Sequence, residues 1–305
     1  MPDVQSLSVS VDGQRLQVSN LDKAMYPATE TTKGEVLHYY ATVAPVLLPH
    51  LAGRPVTRIR WPHGTAGPSF FEKNLPSGAP SWLPSVTLPS TGSRAGDQSR
   101  DTVTYPLVDD TAALTYLANL ASLELHVPQW RVDEEGRPLP PDRLVIDLDP
   151  GSPAGLHECA RLALAVRERL TGMGLASAPV TSGSKGMQLY AALPGDQDAD
   201  EIRDVAREIA QDLTRAEPEL VVWKMTKSLR PGKVLLDWSQ NTAAKTTIAP
   251  YSLRGKDAPF VAAPRTWQEV EAGAERPGRL EQLQMDEVQR RVSRDGDLFG
   301  QLLHG

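Results

Sequence analysis

Arg-Leu-Val-Ile-Asp-Leu-Asp-Pro-Gly, residues 143–151, is the stretch from which the architecture of this chain can be inferred. Its apolar run, residues 144–146, predicts a buried strand, and the Pro-Gly pair ends that strand at once. Because side chains alternate between the two faces of a strand, we expect Asp147 and Asp149 to emerge on one face. The sequence therefore places two carboxylates side by side at the end of a buried strand.

Two carboxylates in this position repel each other and lose hydration, which is costly unless a cation compensates. For hard oxygen ligands the usual cation is Mg²⁺ or Mn²⁺, and either ion also binds substrate phosphates. The alternative is that both carboxylates lie in water beside the Pro-Gly turn. The motif alone leaves both interpretations open.

The length and composition are those of a globular protein. The chain has 305 residues, of which 40% are hydrophobic and 23% charged, enough for one large domain or two ordinary ones. No apolar run reaches the length of a membrane span, and residues 1–10 lack the pattern of a signal peptide. The single cysteine, Cys159, excludes an internal disulfide and is expected to be a buried, inert thiol. These features predict a cytoplasmic protein without a membrane partner.

The distribution of charge is more informative than its sum. The net charge of −6 would by itself argue against a nucleic-acid partner. Residues 224–256, however, contain seven basic residues and a single acid, Asp237, whereas acidic residues concentrate in 196–219 and 268–297. A basic surface facing one way can bind a polyanion despite a negative total, although a solvated lysine-rich loop would have the same composition.

Periodicity along the chain predicts helices and strands without internal repeats. We expect a hairpin around Asp12-Gly13 and an exposed loop or flexible hairpin in the Pro-, Ser- and Gly-rich segment 76–101. Helices are predicted at 33–51, with Thr31 or Thr32 as N-cap, and at 111–123, 156–173, 198–216 and in a charged tail from 267. Strands are predicted at 56–61, 125–130, 187–193 and 234–238. The pattern favours one interwoven α/β unit.

A third carboxylate ends another apolar strand. Asp237 closes the run that begins at residue 233, and three carboxylates from two strands could hold two metal ions. Two ions held in this way stabilise both the attacking and the leaving oxygen of a phosphoryl transfer. The alternative is a strand-end ion pair between Asp237 and one of its basic neighbours.

A short turn offers an anion-binding motif. Residues 182–186, Ser-Gly-Ser-Lys-Gly, join two predicted strands. The glycines let backbone amides approach an anion, the hydroxyls donate hydrogen bonds and Lys185 supplies positive charge. The spacing is not that of a P-loop, and an ordinary tight hairpin is the alternative.

These blocks together resemble the polymerase domain of bacterial DNA ligase D and the related stand-alone primase-polymerases of the archaeo-eukaryotic primase superfamily. The resemblance runs from about residue 18 to 298. Its most specific stretches are Asn-Leu-Asp-Lys (20–23), Tyr-Pro-Ala-Thr (26–29), Phe-Phe-Glu-Lys (70–73), His-Val-Pro-Gln-Trp (126–130), Asp-Leu-Asp-Pro-Gly (147–151), 181–186, Lys-Ser-Leu-Arg (227–230), Asp-Trp-Ser-Gln-Asn (237–241) and 245–254. So many blocks in this order are not expected by chance.

The resemblance implies a role for individual residues. The metal ligands would be Asp147, Asp149 and Asp237, which would hold two Mn²⁺ or Mg²⁺ ions. The incoming nucleotide would contact His126, Ser182, Ser184, Lys185, Gln188, Gln240, Lys245 and Arg254. The 5′-phosphate of a recessed DNA end would bind Asn20, Lys23 and Lys33. Template or primer would contact Arg60, Phe70, Phe71, Lys73 and Arg230.

Two of these groups have plausible alternatives. Lys23 and Lys33 lie near a turn and a helix N-terminus, where phosphates bind readily, but either residue alone would be interpreted as a surface lysine. Phe70 and Phe71 place one ring on each face of a strand, so one ring is expected in the core and the other as a base-stacking platform. Without the resemblance both rings would be assigned to the core.

The chain departs from the family pattern at Gln188, because the second motif of the superfamily ends in histidine. Glutamine can donate a hydrogen bond but cannot carry charge, which puts nucleotide affinity and metal or sugar preference in doubt. The loop around 88–102 also looks longer than in the relatives, which would affect how DNA ends are bridged.

The resemblance further implies a primase-polymerase fold of central mixed and antiparallel sheets flanked by helices, formed as one unit over residues 1–305. DNA-end-binding elements would occupy about 1–75, the catalytic core about 103–260 and a helical tail 264–305. The implied activity is DNA-templated transfer of nucleotides from nucleoside triphosphates, preferring ribonucleotides, to extend primers or fill gaps. The implied setting is gap repair or non-homologous end joining at the bacterial nucleoid, beside a ligase of the C or D type and Ku.

Three alternatives remain. A non-catalytic DNA-end-binding module would keep the 5′-phosphate pocket beside a decayed active site, which the three aspartates argue against. A phosphohydrolase with an Asp-x-Asp nucleophile would carry its motif near the start of the chain and without Pro150 after it. A de novo primase differs only in needing no primer. The sequence has no Lys-x-Asp-Gly adenylation motif or second His-rich metal cluster, so we expect a stand-alone polymerase or an excised domain.

Overall fold

The computed structural model describes residues 6–89 and 102–300, which form sixteen strands and six α-helices. The strands are β1 (Ser6–Val11), β2 (Gln14–Ser19), β3 (Ala24–Tyr26), β4 (Thr31–Thr32), β5 (Thr57–Arg60), β6 (Phe70–Glu72), β7 (Ser85–Pro89), β8 (Thr102–Pro106), β9 (Ser122–Val127), β10 (Arg143–Pro150), β11 (Ser177–Thr181), β12 (Met187–Ala192), β13 (Val221–Val222), β14 (Val234–Asp237), β15 (Thr247–Ile248) and β16 (Ala263–Pro264). The helices are α1 (Lys33–Leu51), α2 (Thr111–Asn119), α3 (Leu156–Gly172), α4 (Ala199–Ala216), α5 (Trp267–Glu275) and α6 (Met285–Asp295). Short 3₁₀ turns lie at Pro27–Thr29, Lys227–Leu229 and Trp238–Asn241.

The central sheet has six strands in the order β13-β14-β10-β12-β11-β16. All neighbours are antiparallel except β13 and β14. The aspartate strand β10 is buried as predicted, because Leu144 and Leu148 pack with α3 and α4 in one core. Val145 belongs to a second core on the opposite face of the sheet. Asp147 and Asp149 alternate with the leucines and so share the face of Val145.

The second sheet has four strands in the order β15-β9-β5-β6. Its buried residues form one core with those of α1 and α2. That core also contains Val145, Val180 and Tyr190 from the central sheet, so one set of buried side chains joins both sheets. The predicted α+β architecture of mixed and antiparallel sheets flanked by helices is confirmed.

Helix α1 begins and ends where the sequence predicts. The Thr32 hydroxyl accepts a hydrogen bond from the Glu35 N–H, and the Glu35 carboxylate accepts one from the Thr32 N–H. This reciprocal capping box satisfies N–H groups that have no partner inside the helix. The helix continues through Pro45 and Pro49 to Leu51.

Buried tyrosine hydroxyls connect β3 and α1 to distant parts of the chain. Tyr26 and Tyr39 donate hydrogen bonds to the carbonyls of Arg254 and Tyr251 at 2.9 and 2.7 Å. Tyr40 donates to the Leu123 carbonyl at 2.6 Å and accepts from the Leu253 N–H at 3.2 Å. These bonds fix the segment around residues 251–254 against α1 and β9.

One pair of predicted boundaries was wrong. The helix expected over 111–123 ends at Asn119, and the strand expected over 125–130 is β9. Ala121 adopts a positive φ of 63°, a left-handed conformation that a helix cannot continue. Ser122 then pairs with β5, so tertiary strand pairing overrides the apolar periodicity that extended the predicted helix.

The other predicted elements are confirmed with small changes at their ends: the hairpin β1–β2, helices α3 and α4, strands β5, β12 and β14, and the helices of the tail, α5 and α6. In the segment predicted as a loop or hairpin, β7 pairs with β8 across residues 90–101. Residues 90–101 themselves lie outside the described part of the chain. They make up most of the loop around 88–102 that the sequence analysis expected to be longer than in the relatives.

Cys159 is fully buried, as expected, and burial raises the pKa of its thiol above the usual range. Among the helices of the described ranges, none combines the length and apolar character needed to cross a bilayer.

We expect Tyr40→Phe to destabilise the protein by about 1–3 kcal/mol, because the buried Leu123 carbonyl and Leu253 N–H would both lose their partner. Urea unfolding measures the change. The matched control is Tyr116→Phe, since the Tyr116 hydroxyl makes no hydrogen bond to another described residue. Equal stability losses in the two variants would contradict the role of the Tyr40 hydroxyl.

Candidate active site

The three predicted carboxylates come together at the end of two neighbouring strands. Asp147 on β10 lies directly opposite Asp237 on β14, and Asp149 follows on the same face two residues later. One carboxylate oxygen from each residue lies within 4.8 Å of the others. Asp237 is buried, whereas Asp149 is exposed toward the solvent side of the cluster.

Burial and neighbouring negative charges raise the pKa values of Asp147 and Asp149. Burial raises the pKa of Asp147, and the charges of Asp149 and Asp237 raise it further. Burial and the charge of Asp237 also raise the pKa of Asp149, whereas Arg230 and Arg254 lower it. A set of hard oxygen donors that repel each other in this way fits a divalent cation such as Mg²⁺ or Mn²⁺. The donor chemistry therefore supports the predicted metal ligands.

The residues after β14 hold the Asp237 carboxylate in place. The Ser239 N–H and hydroxyl donate to Oδ1 at 3.0 and 2.5 Å, and the Gln240 side-chain amide donates to Oδ2 at 3.0 Å. Lys245 Nζ lies 3.9 Å from Oδ2 and also donates to the Ser239 hydroxyl. The alternative ion pair at Asp237 is thus present, and the same carboxylate also belongs to the acidic cluster on which the predicted metal site depends.

Asn241 fixes the turn that follows Asp237, a role that the sequence analysis did not assign. Its side chain is 1% exposed. Its Oδ1 accepts from the Val145 N–H at 2.9 Å and its Nδ2 donates to the Val145 carbonyl at 2.7 Å. The amide therefore replaces a strand partner along the edge of β10, beyond the point where β14 ends.

A cavity of about 270 Å³ opens beside the aspartates and contains nearly all of the predicted nucleotide contacts. Its lining includes Asp147, Asp149, His126, Ser182, Ser184, Lys185, Gln188, Gln240 and Arg254. Lys245 lines a larger adjoining cavity of about 750 Å³, which also contains Gln240 and extends to Phe71 and Lys73. The structure thus brings the predicted nucleotide residues together around the carboxylates.

The turn at residues 182–186 is a hairpin and also a wall of this cavity. The Ser182 N–H donates to the Gly186 carbonyl at 3.0 Å, which closes the turn between β11 and β12. Gly186 lies against β10 so closely that an added Cβ would be 1.9 Å from the Leu148 carbonyl oxygen. Only glycine permits this approach, which brings Lys185 next to the aspartate strand.

Gln282, from the segment between α5 and α6, holds both sides of the same turn. Its Oε1 accepts from the Gly183 N–H at 2.7 Å, and its Nε2 donates to the Gly186 carbonyl at 2.9 Å. No pattern in the sequence indicated this contact, because Gln282 lies 96 residues from Gly186.

Gln188 occupies the position on β12 directly opposite Asp147. It is 5% exposed, and its Oε1 accepts a hydrogen bond from the Tyr190 hydroxyl at 2.8 Å. The Gln188 side chain, opposite Asp147 on the neighbouring strand, counteracts part of the rise in the pKa of that carboxyl. The neutral amide therefore remains a donor beside the aspartates, although it supplies no charge.

Glu124 is a buried acid in contact with two residues of the cavity wall, and the sequence analysis missed it. One carboxylate oxygen lies 2.8 Å from His126 Nε2, and the other accepts from Arg254 Nε at 3.2 Å and from the Gly255 N–H at 3.0 Å. Burial alone would raise its pKa, but these contacts lower it to about 2. The signal in the sequence was the Glu-x-His spacing on β9, which places both side chains on one face.

The predicted 5′-phosphate residues also lie together, near the start of α1. The Lys23 N–H donates to the Asn20 carbonyl at 3.1 Å. Lys33 is 5% exposed and donates to the Ser19 carbonyl at 2.7 Å, so it is not the surface lysine that the sequence alone would suggest. Burial and the charge of Lys23 lower the pKa of Lys33 to about 8. A weakly solvated amine of this kind is well suited to an anionic partner.

The expectation that one ring of the Phe-Phe pair is in the core was wrong. Phe70 and Phe71 are 47% and 61% exposed, because their strand, β6, is a three-residue strand at the edge of its sheet. Lys73 Nζ lies 6.0 Å from the Phe71 ring centroid. Two exposed rings at a sheet edge can both offer a stacking surface.

Arg60 and Arg230, the other two predicted template or primer contacts, lie in different parts of the structure. Arg60 is partly buried, and its guanidinium donates to Glu72 and to the Leu120 carbonyl, both at 2.7 Å. Arg230 lies in the segment that covers Gly151, where an added Cβ would be 2.1 Å from the Arg230 carbonyl oxygen. Arg230 thus lies on the aspartate side of the site, where its positive charge lowers the pKa of Asp149.

Comparison with known proteins agrees with this geometry. The family model described as the LigD primase-polymerase domain matches residues 32–299. The multifunctional non-homologous end joining protein LigD of Mycobacterium bovis is 50% identical over 298 residues, covering 96% of this chain and 38% of the relative. The bifunctional LigD of Bacillus subtilis is 36% identical over 259 residues, covering 85% and 40%. The chain therefore spans about two fifths of the length of these curated relatives.

A solved structure, the polymerase domain of Mycobacterium tuberculosis ligase D in complex with DNA, has the same fold. The TM-score is 0.87 at 49% sequence identity, with 95% of this chain and 98% of that chain covered. The fold is that of the primase-polymerase class. The chain belongs to the LigD primase-polymerase domain family.

We expect Asp149→Asn to leave the metal-free protein at least as stable as the wild type, because one of three repelling charges is removed. The stabilisation by Mn²⁺, about 2.7 kcal/mol at a concentration 100 times Kd, should be largely lost. Thermal unfolding in EDTA and in Mn²⁺ measures both effects. Glu219→Gln, at a 95% exposed side chain, is the matched control and should keep the wild-type response. An unchanged Mn²⁺ response in Asp149→Asn would contradict the assignment.

Proposed function

We propose that this chain is a DNA-templated nucleotidyltransferase that extends a primer 3′ end and fills short gaps at DNA ends. The single observation that carries the proposal is the cluster of Asp147, Asp149 and Asp237 beside a cavity lined by Lys185 and Arg254. Acidic ligands beside cationic side chains are the surroundings that a metal-bound triphosphate requires.

The three aspartates would hold two Mn²⁺ or Mg²⁺ ions. When bound, such ions supply Lewis-acid stabilisation of the attacking and leaving oxygens in phosphoryl transfer. Lys185, Arg254 and His126 would bind and orient the triphosphate, and the hydroxyls of Ser182 and Ser184 would donate to its oxygens. Lys245, held beside Asp237, would neutralise charge on the opposite side. Gln188 would donate a hydrogen bond without adding charge.

Template and primer would approach from the adjoining cavity. Phe71, Lys73, Gln240 and Lys245 all line this cavity, and Gln240 also lines the nucleotide cavity, which supports a continuous path for the template to the nucleotide. Arg230, beside Asp149, would contact the primer side of the site. The exposed rings of Phe70 and Phe71 support stacking on unpaired template bases.

The 5′-phosphate of a recessed end would bind at Asn20, Lys23 and Lys33. The amines of the two lysines donate only to backbone carbonyls, which leaves their positive charges without an acidic partner among the described residues. The buried position of Lys33 would strengthen its attraction for a phosphate, because less solvent screens the charges.

The biological setting is proposed from the relatives. Their names describe non-homologous end joining, and the solved relative was determined with DNA. We infer that this domain acts at chromosomal DNA ends in the bacterial cytoplasm beside a ligase of the C or D type and Ku, and that it prefers ribonucleotides. The domain divisions at about 1–75, 103–260 and 264–305 belong to the same proposal.

The decisive experiment is primer extension on a gapped, 5′-phosphorylated DNA with Mn²⁺ and ribo- or deoxynucleoside triphosphates. Templated addition should fall by at least about 100-fold in Asp147→Asn, since each such electrostatic contribution amounts to several kcal/mol. Asp133→Asn, at a surface ion pair with Arg137, serves as the charge-matched control. Tight DNA binding without addition by the wild type would favour the end-binding module, and addition without a primer would favour the primase.

A second experiment tests the end-binding site separately. Lys33→Gln should weaken binding to a 5′-phosphorylated recessed end by about 10-fold, the usual size of a lost hydrogen bond between charged groups. Binding to the same DNA with a 5′-hydroxyl should change little. Fluorescence anisotropy at constant salt measures both affinities. Equal losses for the two DNAs would show that Lys33 does not recognise the phosphate.

A further inference from the structure

We propose that Glu124 is a positioning residue that holds His126 and Arg254 in the orientation in which both bind the nucleotide phosphates. The inference rests on the proposed function and extends it to a buried residue that has no direct access to the nucleotide. Glu124 is 4% exposed, lies on β9 and divides its two carboxylate oxygens between His126 and Arg254.

The contacts of Glu124 determine which atom of His126 remains available. An ionised carboxylate only accepts hydrogen bonds, so the His126 Nε2 that lies 2.8 Å away must carry a proton and donate. This leaves Nδ1 as the ring nitrogen for the cavity that His126 lines. When both nitrogens are protonated, the ring donates to Glu124 on one side and to an anion on the other.

The orientation of Arg254 is determined in the same way. Its Nε donates to Glu124 at 3.2 Å and its Nη1 to the Ser182 carbonyl at 3.0 Å. Its Nη2 makes no hydrogen bond with any residue in the described ranges. Gly183 leaves room for the Arg254 stem, because an added Cβ there would lie 2.6 Å from Arg254 Cγ. The guanidinium is therefore held on two sides, with Nη2 left for a ligand.

Glu124 also fixes the backbone beside Arg254. Its Oε1 accepts from the Gly255 N–H at 3.0 Å, and the Tyr26 hydroxyl donates to the Arg254 carbonyl at 2.9 Å. Glu124 thus contacts His126 on its own strand and Arg254, which follows it by 130 residues. Its negative charge compensates part of the positive charge of Arg254 before a nucleotide binds.

The test uses Glu124→Gln, which keeps the shape of the side chain and removes its charge. A neutral amide presents one oxygen and one NH₂ group, so it cannot accept hydrogen bonds on both sides. We expect the Kd for ATP, measured by calorimetry with and without Mn²⁺, to rise about 10-fold. We expect the KM for nucleotide in primer extension to rise similarly, with a smaller change in kcat.

The matched control is Glu269→Gln. Glu269 accepts hydrogen bonds from Arg265 and Arg291, and its pKa is also lowered to about 2, but it lies on α5 outside the cavity. Both substitutions should lower the temperature of unfolding, and only Glu124→Gln should weaken ATP binding. Binding of 5′-phosphorylated DNA should be unchanged in both. An ATP affinity of Glu124→Gln within two-fold of wild type would overturn the proposal.

Combined variants distinguish positioning from a general structural role. If Glu124 acts through its two partners, Glu124→Gln should have almost no further effect on ATP affinity in a His126→Ala/Arg254→Ala background. An undiminished 10-fold effect in that background would contradict the proposal.

A readout that needs no nucleotide separates this inference from the proposed function. The Arg254 Nε–H should give a slowly exchanging ¹⁵N NMR signal in the wild type, assigned by its loss in Arg254→Ala, and should exchange faster in Glu124→Gln. If the wild type binds no ATP but the signal behaves this way, the proposed function fails while the positioning contact stands. An unchanged signal in Glu124→Gln would overturn the positioning role.

Discussion

Mutual repulsion among three carboxylates is the constraint on which the rest of this structure depends. Oxygens of Asp147, Asp149 and Asp237 lie within 4.8 Å of one another, and burial adds to the cost of their charge. The strands that carry them are interior strands of the central sheet, with apolar cores on both faces. The packed sheet therefore prevents the strands from separating to relieve the repulsion, and the stored electrostatic energy becomes an affinity for cations.

Two of the chain segments that supply compensating charge approach the carboxylates closely because glycine leaves room for them. Gly186 lets the Lys185 turn contact the end of β10, and Gly151 lets the Arg230 segment contact it from the other side. Hydrogen bonds then set the direction of the polar groups, as Gln282 does for the turn and Asn241 does for the segment after Asp237. The positive charges of Lys185 and Arg230 thus reach the aspartates because the backbone of each segment packs closely against β10.

Much of the fold and most of the candidate site could be predicted, because they depend on local pattern. The limits of α1 follow from its capping box and apolar spacing, and the aspartates follow from strand alternation. The prediction failed where the local structure depends on contacts with residues far away in the sequence. Pairing with β5 moved the end of α2 and the start of β9, and the edge position of β6 left both phenylalanine rings exposed. Lys33 is buried because another segment covers it.

The sequence by itself determined the strand that carries two aspartates on one face, the helix limits set by caps, and the residue blocks that indicate the family. These features are encoded by neighbouring residues, whose interactions do not depend on the rest of the fold. Only the tertiary structure decided that the acid beside His126 also holds Arg254, and that the Gln282 side chain donates to the Gly186 carbonyl. The partners in these contacts are 130 and 96 residues apart, so they meet only through sheet register and packing. A hydrogen bond needs a donor and an acceptor within about 3 Å, and local sequence cannot specify that distance across a fold.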